Sequence, residues 1–77
     1  MRTEGHTPPI VAIARFFAWD HLPPHLQAVS RPVGELAQHM LDTLPSSDEL
    51  AAGLRKLLEA KDCLVRAAVP PDSPKEE

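Results

Sequence analysis

Leu44-Pro45-Ser46-Ser47 is the stretch that decides how this chain folds, because two apolar stripes of nearly equal length run up to it from either side. The first stripe is Leu22, Leu26, Val29, Val33, Leu36, Met40 and Leu44, at steps of three and four residues. The second is Leu50, Leu54, Leu57, Leu58, Leu64, Val65 and Ala68. Steps of three and four mark one face of an α-helix. The spacing predicts helix one over 22–44 and helix two over 47–69. Each would be roughly 30 Å long at about 1.5 Å per residue. So short a connection predicts an antiparallel hairpin.

Local signals agree. Pro23 and Pro24 suit the first helical turn, where a missing N–H costs nothing. Ser46-Ser47-Asp48-Glu49 reads as a capping box, with Ser46 as the cap and Glu49 reaching back. Asp48 and Glu49 complement the positive end of the helix dipole. Arg66 lies in the last turn, and Pro70-Pro71 stops helix two. Pro32 and Gly34 conflict with helix one, since an interior proline costs on the order of 3 kcal/mol. The apolar pattern runs through them, so the expectation is one helix kinked near residue 32, with a break capped by Ser30 as the alternative.

The chain has 77 residues and reads as one small domain. Residues 1–9 and 70–77 have the composition of flexible ends. The remainder is small for a single self-sufficient core. Cys63 is the only cysteine, so no disulfide within the chain can staple it, and a lone cysteine fits a reducing cytoplasm. Self-association is the remaining staple, and the predicted class is all-α: a two-helix hairpin with a short N-terminal aromatic segment, assembled as a homo-oligomer. No apolar run approaches the ~18 residues of a membrane span. The formal net charge of −3 argues against nucleic-acid polymers. It leaves room for a small anion held by two or three aimed cations.

All the aromatic residues, Phe16, Phe17 and Trp19, fall in Ile10–Trp19. Ile10, Ile13 and Phe17 have helical spacing, so this segment reads as a short helix lying on the hairpin, or as an element facing a ligand or a second subunit. Trp19 suits a rim, since its indole N–H wants a partner.

Catalytic and metal patterns are missing. His21 and His25 lack a second ligand pair, and no Cys-x-x-Cys or His-Glu-x-x-His pattern occurs, so neither metal nor cofactor is expected. Cys63 lies mid-helix away from any activating histidine. No enzyme is expected. Helix two carries four of the eight cations: Arg55, Lys56, Lys61 and Arg66. Asp62/Arg66 and Arg55/Glu59 are spaced for surface pairs. Lys61 falls on the apolar stripe, either snorkelling outward or pointing into a shared pocket.

Two blocks carry a family resemblance. Phe17-Ala18-Trp19-Asp20-His21-Leu22-Pro23-Pro24-His25-Leu26-Gln27-Ala28-Val29-Ser30 resembles a Phe-x-Tyr-x-His-Leu-Pro…Leu-Gln-x-Val-Ser motif. Leu54-Arg55-Lys56-Leu57-Leu58-Glu59-Ala60-Lys61-Asp62-Cys63-Leu64-Val65-Arg66-Ala67 resembles its companion, Leu-Arg-Lys-Leu-Leu-Glu-Ala-Lys-Asp-x-x-Val-Arg-Ala. Together, over residues 16–69, they resemble small hairpin proteins of actinobacterial phages and prophages. Those in turn look similar to the cyclic-oligonucleotide sponges that act as anti-CBASS and anti-Thoeris proteins. The resemblance implies a hexamer in the host cytoplasm. It would sequester cyclic di- or trinucleotides, or a cyclic ADP-ribose-type signal, between subunits without cleaving them.

The resemblance also implies site residues. Trp19 would stack on a base, standing where the motif has tyrosine and so lacking its hydroxyl. His21 stands beside it. Arg66 matches a late-helix arginine, with Lys61, Arg55 or Arg31 as further phosphate ligands. Arg31 is only the nearest cation to the motif position, and Val33 replaces a more usual phenylalanine. The competing expectation is a helical-hairpin protein–protein interaction module with no small-molecule ligand.

Overall fold

The computed structural model describes residues 1–69. The expected stop at Pro70-Pro71 and the C-terminal tail lie outside the described residues. The fold is all-helical, with α1 over Pro8–Ala14 continuing into a 3-10 turn at Arg15–Phe17, α2 over Pro24–Thr43 and α3 over Asp48–Ala68. α2 and α3, joined by Leu44–Ser47, pack on one another, and α1 packs on α3.

α1 starts on Pro8 and Pro9, which cost nothing in a first turn. It buries Ile10 and Ala14, and the 3-10 turn buries Phe17 completely. Phe16, pointing the other way, lies under the Arg15 guanidinium, 5.2 Å from the ring centroid. The N-terminal aromatic segment is thus a third packed element, joining Ala37 and Leu41 of α2 and Leu50, Ala51 and Leu54 of α3 in one core.

α2 is continuous through Pro32. Proline there removes the N–H that the carbonyl of Ala28 would accept. Ala28 and Pro32 are both exposed, so water can take that place. Gly34 has a different reason for being in the helix. A Cβ on it would overlap the indole of Trp19 and lie 2.9 Å from the carbonyl oxygen of Phe17.

The cap of α3 is Ser47, not the expected Ser46. The Ser47 hydroxyl accepts the N–H of Leu50 at 3.0 Å. Ser46 is occupied elsewhere: its Oγ accepts the N–H of Thr7 at 3.1 Å and lies 2.8 Å from Nδ1 of His6. Nε2 of the same imidazole lies 2.7 Å from the carbonyl oxygen of Leu41. The residues before α1, whose composition suggested flexibility, thus carry side-chain contacts to the α2–α3 connection.

The buried line of α2 is the main departure from the sequence pattern. Ser30, Gly34, Ala37 and Leu41 are buried. The apolar stripe Val29, Val33, Leu36, Met40 lies one residue earlier, about 100° around the helix. Of that stripe Leu36 is 45% exposed and Leu44, at its end, 43%. Gly34 faces inward because the Trp19 ring and the Phe17 carbonyl lie directly over it; Val33 and Met40 pack at the edge of the core, and Leu36 and Leu44 are left outside.

A tryptophan-walled cleft as candidate functional site

Trp19 is set in place by the chain around it. After the 3-10 turn, Ala18 is extended and carries the backbone onto α2. The carbonyl of Trp19 accepts the N–H of Leu22 at 3.0 Å. The Gln27 side chain donates to the carbonyls of Leu22 at 2.8 Å and Asp20 at 3.4 Å, fixing the bend before α2. The indole lies on Gly34 and is half-buried.

Beside Trp19 opens a cleft of about 540 Å³ between the N-terminal residues and α2. That is within the usual range of about 300–1,000 Å³ for small-ligand sites. Glu35, Gln38, His39 and Asp42 form its α2 wall, with Arg2 and Asp20 opposite. A clasp closes one end. The N–H of Arg2 donates to Oε1 of Gln38 at 2.8 Å, and Nε2 of Gln38 donates to the Arg2 carbonyl at 2.9 Å. Asp42 accepts from both side chains, Gln38 at 2.9 Å and the Arg2 guanidinium at 3.1 Å.

Of the six residues expected at a ligand site, Trp19 lines this cleft and the other five do not. His21 is exposed. Arg31 reaches the rim only through Glu35, its ion-pair partner at 2.9 Å. Arg55 is exposed on α3, with no ion-pair partner among the described residues. Lys61 has its side chain 12% exposed; its ammonium donates to the Phe16 carbonyl at 2.9 Å and pairs with Asp62 at 3.2 Å. Neither pair expected on α3 forms as the spacing suggested: Lys61 takes Asp62, and Arg66 donates to Sγ of Cys63 at 3.4 Å.

Sequence reasoning missed Arg2, Gln38, His39 and Asp42. The signal was available in part, since Glu35, Gln38, His39 and Asp42 recur at helical spacing on a polar face of α2. Arg2 carried no signal, because a contact across 40 residues follows from tertiary structure alone.

Asp20, Glu35 and Asp42 outnumber the cations of the cleft, so within one chain it repels phosphate. Among the described residues no cluster of His, Cys, Asp and Glu could hold a metal ion, and no helix is long and apolar enough to cross a membrane. Comparison with family models, curated proteins and solved structures gave no match.

Proposed function

We propose that this chain is a phage-type sponge. Copies assemble as hairpins into a closed oligomer, a hexamer by the family resemblance. They bind cyclic di- or trinucleotides, or a cyclic ADP-ribose-type signal, in pockets between subunits and hold them uncleaved in the host cytoplasm. This blocks CBASS- or Thoeris-type signalling. The observation that carries the reading is the half-buried indole of Trp19, braced on Gly34 beside a ligand-sized cleft. Aromatic stacking contributes about 1–3 kcal/mol per base. Arg66 and Arg55 of a neighbouring copy neutralise the phosphates, with Arg31 released from Glu35 and Lys61 and His21 at the margin.

Native mass spectrometry of the full chain, with and without a mixture of cyclic di- and trinucleotides and cyclic ADP-ribose, tests this. The expected result is an oligomer that gains discrete nucleotide masses and releases them intact on denaturation. Trp19→Ala and Arg66→Ala should each abolish binding while the oligomer survives. Wild-type affinity in both variants would overturn the assignment of these residues.

A second reading is favoured by a different observation: an apolar groove between α2 and α3 that is left open among the described residues. In that reading the protein is a protein–protein interaction module with no small-molecule ligand. A stable oligomer with the groove already covered counts against it, and a wild type that gains no nucleotide mass counts for it.

A further inference from the structure

The C-terminal part of the displaced α2 stripe lines that groove. Leu36, Met40 and Leu44 form one bank, and Leu50, Gly53 and Leu57 form the other, around a space of about 460 Å³. The banks differ in height. Leu36 and Leu44 stand up as exposed ridges, whereas Gly53 is a notch, with no atom within 4 Å of where a Cβ would sit. Along α3 large and small residues alternate at heptad spacing: Leu50, Leu57 and Leu64 against Gly53, Ala60 and Ala67. Leu64, at the far end of this line, is 52% exposed.

We propose that the α2–α3 groove seats a second copy of this chain, related by a two-fold axis that crosses α3 between Ala52 and Gly53. Ridges and notch lie on one face, so the face is complementary to itself, as a two-fold interface requires. Charge selects the same axis. Glu49 is on the groove rim, and Lys56, seven residues later, occupies the same helical position. Antiparallel crossing between Ala52 and Gly53, midway along the stretch from Glu49 to Lys56, sets Glu49 of each copy against Lys56 of the other, two ion pairs from one operation. A shift of a full helical turn along α3 loses that match. A helix of unrelated sequence would meet the notch but would have no reason to place opposite charges at both ends of the crossing. The contact rests on the assembly part of the proposed function and not on its ligand.

Sedimentation equilibrium of the full chain, without nucleotide, tests the contact. Wild type should associate reversibly. Glu49→Lys and Lys56→Glu alone place like charges together, and each should weaken association about tenfold, whereas the double variant should recover most of the loss. Gly53→Leu fills the notch and should weaken association about tenfold, yet by helix propensity it should leave helical content equal or higher in circular dichroism. That opposition separates a lost contact from a lost fold. A wild type that stays monomeric, single variants that associate normally, or a double variant without recovery would each overturn the proposal. Nucleotide binding by a monomeric wild type would overturn this contact but leave the ligand reading standing. Groove-dependent association without nucleotide binding would do the reverse.

Discussion

The indole of Trp19 lies so close on Gly34 that a single added methyl at position 34 would overlap it. This contact makes a helix-disfavouring residue the fitting choice at the centre of α2. It also orients the side chain assigned to ligand stacking.

Gly34→Ala therefore sets two effects against each other. Helix propensity favours alanine by about 1 kcal/mol. Overpacking costs typically 1–3 kcal/mol, and here backbone as well as a ring stands in the way. The expected net effect is a loss of about 1 kcal/mol in urea denaturation, with a red-shifted emission from Trp19, the only tryptophan. An unchanged spectrum and midpoint would show that the indole moves aside without cost.

His6 holds the N-terminal residues to the α2–α3 connection in one tautomer. A carbonyl only accepts, so the proton lies on Nε2, facing Leu41, and Nδ1 accepts from the Ser46 hydroxyl. Removing both bonds with His6→Ala should cost about 1–2 kcal/mol. Nitrogen chemical shifts of the neutral ring should identify the Nε2–H form; a dominant Nδ1–H form would contradict the contact to Leu41.

Ser30 is fully buried, and its hydroxyl has no hydrogen-bond partner. An unpaired buried hydroxyl costs roughly 1–3 kcal/mol, so Ser30→Ala should raise the thermal midpoint of unfolding. A lower midpoint would mean that the hydroxyl finds a partner in solution.

The head group of Lys61 caps the chain where the 3-10 turn ends, at the carbonyl of Phe16. Lys61→Met keeps most of the apolar stem and removes the donor, so it should cost about 1 kcal/mol of stability. Nucleotide affinity should fall far less than in Arg66→Ala. Equal losses in the two variants would return Lys61 to the phosphate site.

The two long helices were legible because hydrophobic periodicity is a local property. Expected spans of 22–44 and 47–69 correspond to α2 at Pro24–Thr43 and α3 at Asp48–Ala68. The cap could not be assigned from sequence. Ser46 and Ser47 are chemically equal candidates, and the choice fell to Ser47 once His6 and Thr7 had claimed Ser46. The cleft was legible only in Trp19, since its clasp joins Arg2 to Asp42 across the fold.

By itself, then, the sequence determined where the helices lie and that each has an apolar face. Tertiary structure decided which face of α2 the core takes. Periodicity ranks faces by the size of their apolar side chains, and so selects Val29, Val33, Leu36 and Met40. Packing instead ranks them by fit. Trp19 is bulky, and only a residue as small as Gly34 lets its ring lie against the helix, with Ser30 and Ala37 buried on the same line. Leu36 and Leu44 were turned outward for that reason, and with the half-buried Met40 they line the groove on which self-association is proposed to depend.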